Sequence, residues 1–509
     1  MPDVLLTASF VALLSQLRPV FTAPSFANFV VLLAGMVHAL GAHRLTDALR
    51  AAGPAAERHF TSYYRFLSHA QWSLDELGLA LLALIEQVLS LPELELIVDD
   101  TLCRRSGKKV ALATMHADPL LKQGGRPFHS YGHVFVVLAV HVRLPLLAPT
   151  GWALPVMFRL FEGPRQGGRK DAASDARRRK LRRDKDLPTR NRVRKTDRKV
   201  VDGRVEQCAP EPDSGPLPKE LHRTKTQLAA ELILAVARRF PHLRIRVLAD
   251  HLYNCNAVLN EVLREVDNVN FVTRGRPDAA LFAMPEPRKP GQRGRPAIKG
   301  EQLPNPKQWA DEHADDFERH VVPMYGRDVT VRVASYLGMA YRSLPGRLVR
   351  YVIVIDPAGI YRTDYLLCTD LELSVAEVVA AYSRRWPLEQ TFECCKQKLG
   401  MQDTQVQMPA AVRRHAPLSM LLYSLVVLWY LQHGHQLTNY ARLPADPWYK
   451  GNPRPSFTNM LACLRRASWG EAFVDPPLPG TGATENQPPT TRDRRPQLAR
   501  YLSRVVAAG

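Results

Sequence analysis

Cysteine is scarce in this 509-residue sequence, and its spacing does not suit pairing or metal binding. The seven cysteines are an odd number and include no Cys-x2-Cys pair. They are Cys103, Cys208, Cys255, Cys368, Cys394, Cys395 and Cys463. We therefore predict reduced thiols and no zinc site. A glycine-rich nucleotide loop of the Walker type is also absent, so nothing in the sequence points to ATP use.

Long hydrophobic runs and a secretion signal are missing as well. The longest apolar stretches, residues 26–40 and 418–431, are short or interrupted by polar residues and fall below what a bilayer span requires. The amino terminus lacks a cationic start, a hydrophobic region and a cleavage site in that order. Since 46% of the residues are hydrophobic, folded cores are expected, with these stretches as buried helices. We predict a cytoplasmic protein.

Acidic residues are too few to balance the basic ones. The formal net charge is +20 and the sequence pI is about 9.8, which indicates a polyanionic partner. Basic residues are concentrated between positions 164 and 204, in a stretch too poor in apolar residues to form a core. We predict a flexible segment that contacts phosphates without reading sequence; a solubilising loop or an RNA-adhesive tail is the alternative. Its central arginines are Arg178, Arg179, Arg182 and Arg183.

Two acids follow short apolar stretches that are typical of strands. Residues 94–98 alternate and run into Asp99 and Asp100, and residues 245–249 lead to Asp250. If the two strands are parallel neighbours, Asp99 and Asp250 emerge side by side at the carboxyl edge of the sheet, where open α/β sheets bind ligands. Only one of Asp99 and Asp100 can face such a site, because side chains alternate along a strand.

A third acid lies in a later helical stretch between cations. On a helical wheel, four residues fall within roughly 60° of one another. They are Tyr382, Arg385, Glu389 and Lys396. An amphipathic helix with ordinary surface charges is the alternative reading.

Proline interrupts this stretch and divides it into two predicted helices. Pro387 disfavours helix at the residue before it, so we predict that a new helix begins there. The preceding helix would run from Ser374 to Arg385, with Ser374 as its cap. The division puts the shared face of the four residues in question.

The spacing Tyr-x2-Arg-x3-Glu-x6-Lys resembles the signature of DDE-type transposases of bacterial insertion sequences, in particular the branch called insertion sequence family four. Further matches are Trp386, Phe392 and Gly400, together with Asp-x-Thr at Asp99 and Leu-Ala-Asp at Asp250. The resemblance spans residues from about 90 to 430. By its Asp-x-Thr spacing it favours Asp99 over Asp100 as the first acid.

The resemblance implies a ribonuclease H-like core that uses two Mg²⁺ ions, for which Mn²⁺ can substitute. Asp99, Asp250 and Glu389 would be the catalytic metal ligands. Three close carboxylates repel one another unless cations neutralise them, and a pair of such ions suits in-line phosphoryl displacement. By the same resemblance, transposon-end DNA would be held by Tyr382, Arg385 and Lys396, and a homodimer would bring two ends together.

The predicted fold class is α/β, a ribonuclease H-like mixed sheet flanked by helices, with a helical N-terminal domain and a β-containing insertion. The N-terminal domain, 1–90, would bind DNA through the helix at 60–67, although core packing explains that helix equally well. The other predicted segments are core at 91–163, a basic flexible insertion at 164–218, core at 219–273, an insertion with β content at 274–345, core with the signature at 346–433, and a C-terminal helix with a disordered tail at 434–509.

The β-containing insertion carries a short basic motif. Arg293-Gly-Arg295-Pro296 is like the core of a minor-groove AT-hook, and a similar sequence begins at Arg274. A plain loop is the alternative for both.

Together these features predict a metal-dependent DNA transposase that cleaves double-stranded DNA at the ends of its element and joins the 3′-hydroxyl to target DNA. One alternative is a nuclease of the same fold that does not join strands. The other is a DNA-binding protein without catalytic activity.

Overall fold

The computed structural model describes most of the chain. The described residues are 4–41, 43–106, 110–123, 126–144, 148–162, 199–201, 204–206, 222–287, 295–403, 405–437 and 455–473. Predictions for most of the basic segment and for the tail after residue 473 lie outside them. The individual DNA-binding candidates outside the described residues are Arg178, Arg179, Arg182, Arg183 and Arg293.

Helices and strands alternate in blocks along the described part of the chain. The helices are α1 (Ala8–Ser15), α2 (Ala23–His38), α3 (Leu45–Ala52), α4 (Phe60–Ser68), α5 (Leu74–Leu89), α6 (Lys225–Arg239), α7 (Leu259–Glu265), α8 (Pro306–Glu312), α9 (Val375–Ser383), α10 (Pro387–Lys398), α11 (Pro409–Gln432) and α12 (Phe457–Phe473). The strands are β1 (Glu93–Arg104), β2 (Thr114–Gln123), β3 (Arg126–Leu144), β4 (Ala148–Phe161), β5 (Lys199–Val201), β6 (Arg204–Glu206), β7 (Arg244–Ala249), β8 (Val269–Arg274), β9 (Glu318–Met324), β10 (Arg327–Gly338), β11 (Val349–Ile355) and β12 (Asp364–Cys368).

The N-terminal part is helical because its apolar residues recur at helical spacing between good caps. In α5 the Ser73 side chain accepts a hydrogen bond from the backbone N–H of Glu76, which satisfies one of the free donors at a helix start. Leu77, Leu81 and Ile85 form its buried stripe. Helix α2 is buried on nearly every side, as predicted for residues 26–40.

A ten-stranded mixed sheet forms the centre of the described structure. Strands β4, β3 and β1 are antiparallel neighbours, and β7 and β8 continue in parallel with β1. Three antiparallel strands followed by two parallel ones are the arrangement of a ribonuclease H-like core, so the predicted fold class is confirmed.

Residues 274–345, which we predicted to be an insertion with β content, contribute strands to the same sheet. Strand β12 pairs with β8, and β11, β10 and β9 follow it in antiparallel order. The sheet therefore continues past the parallel strands instead of ending at β8, and this extension provides further surface beside the carboxyl edge.

The register of the parallel strands fixes which residues meet at their ends. The β1–β7 ladder ends with Val98 opposite Ala249, and the β7–β8 ladder ends with Ala249 opposite Thr273. The predicted parallel pairing of the two acid-bearing strands is thus confirmed. The predicted end of β1 at residue 98 was wrong, because antiparallel pairing with β3 carries β1 on to Arg104.

The two signature helices begin where the sequence indicates. Ser374 caps α9 in a reciprocal pair of hydrogen bonds with Glu377, and Pro387 is the first residue of α10. Both predictions are confirmed. Arg385 differs from the prediction, since α9 ends at Ser383 and leaves Arg385 in the turn between the helices.

Helix α11 joins the N-terminal helices to the sheet. It is buried along most of its length and packs against β4, α4 and α12. From α11, the Arg414 guanidinium donates hydrogen bonds to backbone carbonyls of Phe66, Leu67, Ala70 and Trp72, at and just beyond the end of α4. Within the described residues, no helix is both long and apolar enough to cross a membrane.

Candidate carboxylate site

Arg385 joins two of the three candidate acids. Its Nη1 lies 2.6 Å from Oδ2 of Asp99, and its Nη2 lies 3.1 Å from Oε1 of Glu389. Asp99 comes from β1 and Glu389 from the first turn of α10, so the guanidinium connects the sheet to this helix. Asp250 follows β7 directly beside Asp99, and its charge raises the pKa of Asp99. All three acids thus adjoin one edge of the sheet.

Asp99 is poorly compensated for a partly buried carboxylate. Burial raises its pKa from 3.8 to about 6, against the opposing effect of Arg385, and the nearby charge of Asp100 adds to the increase. Near neutral pH its negative charge is therefore held at a cost in free energy, and an additional cation would relieve that cost.

Asp100 points to different partners. Its Oδ2 lies 2.7 Å from Nζ of Lys225, and its Oδ1 accepts a hydrogen bond from the Tyr253 hydroxyl at 3.3 Å. Side chains alternate along a strand, so Asp99 meets the helix α10 side while Asp100 meets α6 and the turn after β7. Asp99 remains our prediction for the first metal ligand.

Tyr382 lies under the site. Its side chain is buried, and burial raises its pKa to about 12, with Arg385 lowering it and Asp250 raising it. The phenol is therefore only slightly exposed to solvent.

Lys396 lies farther along α10, two helical turns from Glu389. Burial lowers its pKa, and the titratable groups that also act on it include Cys103, Arg104 and Asp118. Tyr382, Arg385 and Glu389 therefore adjoin one another, whereas Lys396 belongs to the neighbouring end of β1. The predicted common face of the four signature residues is divided between these two places.

Oxygen donors of the three acids suit a hard divalent cation such as Mg²⁺. Among the described residues, no group of three His, Cys, Asp or Glu side chains is arranged as a ready metal cage. The Arg385 guanidinium supplies the positive charge between Asp99 and Glu389. The residues fit the metal in chemical type, and Arg385 would have to move for a metal to contact both acids.

A second acid on β1 was missed from the sequence. Glu95 is buried and receives two 2.6 Å hydrogen bonds from Arg384, the residue before Arg385. His141 lies 2.9 Å and Arg246 3.6 Å from its carboxylate. The only signals for this contact were the Arg-Arg doublet and the four-residue interval from Glu95 to Asp99, which places both on one face of a strand.

Other candidates lie in less defined surroundings. Arg295 is exposed in a loop, away from regular structure. The similar motif at Arg274 is folded at the end of β8, where Arg274 pairs with Asp364 at 2.6 Å. In α4 the residues Tyr63, Phe66 and Leu67 are buried, but Phe60 and Tyr64 are exposed, so core packing occupies one face and leaves another free.

The fold and the site together define a class of protein, a ribonuclease H-like α/β protein with acids at the carboxyl ends of adjacent parallel strands and another acid on a packed helix. Residues 16–332, more than half of the chain, match the family described as DDE superfamily endonuclease. The chain belongs to this family, whose members are associated with divalent metal use. The match includes Asp99 and Asp250 and ends before the signature helices.

Comparison with solved structures gives a distant likeness. A cryo-EM structure of a piggyBac transposase synaptic complex with hairpin DNA is 10% identical, with a TM-score of 0.37, over 97% of this chain and 80% of that chain. No curated protein matches the sequence. The family match and the geometry of the site are therefore the observations that bear on function.

Proposed function

We propose that the protein is a DNA transposase of the insertion sequence family four branch, which cleaves DNA at the ends of its element and transfers the 3′-hydroxyl to target DNA. The family match supports an endonuclease, and the Tyr-Arg-Glu-Lys spacing beyond the matched range supports the branch. The net charge of +20 suits double-stranded DNA as the partner.

One observation carries the proposal: Asp99 and Asp250 follow the last paired residues of adjacent parallel strands, and Arg385 connects Asp99 to Glu389. Burial is the main cause of the raised pKa of Asp99, Arg385 opposes it, and the charges of Asp100 and Asp250 add to the increase. Such an arrangement suits a site that is completed by metal ions and a phosphate substrate.

In this proposal Asp99, Asp250 and Glu389 would hold two Mg²⁺ ions. Such a pair of ions activates an oxygen nucleophile and stabilises the leaving oxygen of a phosphodiester. Arg385 exchanges its carboxylate contacts for a phosphate oxygen, for which a planar guanidinium is well suited. Lys396 contacts DNA farther along α10, and a homodimer holds the two element ends.

The first experiment compares the parent with Glu389→Gln on labelled DNA from the boundaries of the gene's own locus, with and without Mg²⁺. We expect the parent to cleave and join strands, and the variant to bind the ends but lose cleavage by more than about 100-fold. Glu393→Gln is the matched control, because Glu393 lies one turn farther along α10, is exposed, and accepts a hydrogen bond from Gln397.

The alternatives give different results. Cleavage without joining by the parent would identify a nuclease, and specific binding without cleavage would identify a catalytically silent DNA-binding protein. Equal cleavage by the parent and Glu389→Gln would refute the assignment of Glu389. Asp100→Asn tested beside Asp99→Asn decides which of the two adjacent acids is required.

A further inference from the structure

The carboxyl edge of the parallel strands carries a cation beside the two acids. In register, Asp99 follows the last β1 residue paired with β7, Asp250 follows β7, and Arg274 ends β8 opposite the position after Ala249. Neighbouring strands lie about 4.8 Å apart, so the guanidinium-bearing residue is one strand spacing from Asp250. Along this edge the charge is negative at β1 and β7 and becomes positive at β8.

A cavity of about 440 Å³ opens beyond Arg274. His251, the residue after Asp250, lies in its wall, so the cavity adjoins the candidate carboxylate site. Its apolar lining includes the buried side chains of Leu281, Ala340 and Leu367. This volume falls within the range that small-molecule-sized ligands occupy.

The rim of the cavity is predominantly cationic. Arg274, Arg276 and Arg342 all line it. Arg274 pairs with the partly buried Asp364 at 2.6 Å. Arg276 pairs with Asp278 at 2.8 Å in an exposed position, where an ion pair contributes little. Arg342 is exposed and makes no ion pair with any residue that the structure describes. Three guanidinium groups are thus paired with only two carboxylates, which leaves a net positive charge at the rim.

The lining and the rim suit different parts of a nucleotide. A phosphate is recognised by guanidinium groups, and a base or sugar can lie against an apolar surface. Because the cavity begins one strand spacing from Asp250, a DNA strand with its reacting phosphate between Asp99 and Asp250 would pass the cavity next.

We propose that this cavity binds one nucleotide of the strand that carries the scissile phosphate, with Arg342 holding the phosphate that neighbours the cleaved one. The inference rests on the proposed function and adds a subsite to it. The subsite is separate from the Tyr-Arg-Glu-Lys signature. Its residues come from the turn after β7, from β8 and the segment after it, from the segment after β10, and from β11 and β12.

The test measures binding of labelled end DNA in chelator, over a range of salt concentrations, for the parent, Arg342→Gln and Arg342→Lys. We expect Arg342→Gln to weaken binding about tenfold and to lower the slope of log affinity against log salt by about 1. Arg342→Lys should keep the slope, because it keeps the charge. Arg239→Gln is the control, since Arg239 ends α6 before β7 begins and therefore lies toward the opposite edge of the sheet.

Ethylation of single phosphates locates the contact. In the parent, ethylation of the phosphate next to the cleavage position should weaken binding, and in Arg342→Gln this interference should disappear. Equal slopes and equal interference for Arg342→Gln and Arg239→Gln would overturn the subsite while parent cleavage still supported the proposed function. No specific end binding by the parent would overturn both.

A free nucleotide is the competing occupant. If a deoxynucleoside monophosphate displaced end DNA from the parent but not from Arg342→Gln at the same phosphate concentration, the cavity would be a site for a soluble nucleotide and the proposal would be wrong. Failure of the monophosphate to compete agrees with recognition of a nucleotide within a strand.

Discussion

Two acids on one strand, four residues apart, have opposite electrostatic surroundings. Glu95 is buried, but hydrogen bonds from His141 and Arg384 outweigh the effect of burial and lower its pKa. Asp99 is 20% exposed, yet burial outweighs the effect of Arg385 and raises its pKa to about 6. Two neighbouring arginines in one turn contact these acids. Arg384 binds Glu95, and Arg385 binds Asp99.

This difference in electrostatic surroundings indicates different roles, a structural one for Glu95 and a place in the candidate site for Asp99. Glu95 has enough hydrogen bonds and cations to remain charged, and its bidentate contact with Arg384 fixes the turn between α9 and α10 on β1. Arg385 in the same turn lies within hydrogen-bond distance of Asp99. Asp99 lacks full compensation, and in the proposed function a metal ion would supply it.

The largest expected effect on stability comes from removing the charge of Glu95. Glu95→Gln should lower the free energy of unfolding by about 3 kcal/mol, because it leaves buried cations without their partner. Denaturant unfolding in chelator measures this, with Glu93→Gln as the control, since the more exposed Glu93 pairs with Arg246 at 3.0 Å and should contribute at most about 1 kcal/mol.

Asp99→Asn should act in the opposite direction on stability. Its removal of an unfavourable charge should raise the free energy of unfolding at pH 7 by up to about 3 kcal/mol, while cleavage is lost. A loss of stability as large as that of Glu95→Gln would erase the contrast between the two acids.

The contributions of Asp99 and Glu95 to the free energy of unfolding should change with pH in opposite directions. A raised pKa means that folded Asp99 holds its proton more tightly than the unfolded chain, so its contribution makes the protein less stable as pH rises from about 4 to about 6. The lowered pKa of Glu95 contributes stability above pH 4.5 that is lost on further acidification. Unfolding of the parent and both variants at several pH values, in chelator, gives the two differences. A parent-to-Asp99→Asn difference that does not change between pH 4 and pH 7 would contradict this prediction.

The smallest expected effect comes from changing the two-point contact between Arg384 and Glu95. Arg384→Lys keeps the positive charge but replaces a two-point contact with Glu95 by a single one. It should cost about 1 kcal/mol in unfolding free energy and reduce cleavage by misplacing Arg385. Arg238→Lys is the matched control, because Arg238 pairs with Glu265 on the exposed face of α6. Equal effects of the two changes would show that the two-point contact does not position the turn.

Local sequence signals predicted the elements that carry the site. Alternating apolar residues located β1 and β7, and proline and serine located the starts of α10 and α9. These predictions were correct because strand alternation, the fixed backbone angle of proline and the capping of free N–H groups act within a few residues. The parallel pairing of two such strands then brings Asp99 and Asp250 together.

Contacts between distant parts of the chain had no comparable signal. Arg385 meets Asp99 across 286 positions of sequence, and Arg384 meets Glu95 across 289. The continuation of β1 past Asp99 depends on β3. Beyond β8, the sheet uses β12 and β11 from the predicted core and then β10 and β9 from the segment predicted as an insertion. The cavity beside Arg274 is lined by five separate parts of the chain, within residues 251–256, 274–281 and 340–343 and at Tyr351 and Leu367.

The sequence by itself therefore determined a mixed α/β core, the neighbouring ends of two acid-bearing strands and the helix that carries Glu389. The tertiary structure alone decided that Arg385 lies between Asp99 and Glu389, that Glu95 supports the turn, and that the sheet edge continues into a cationic cavity. The physical reason is that hydrogen-bond geometry and hydrophobic period are local properties, whereas the ionisation of a buried acid depends on every charge that folding brings near it.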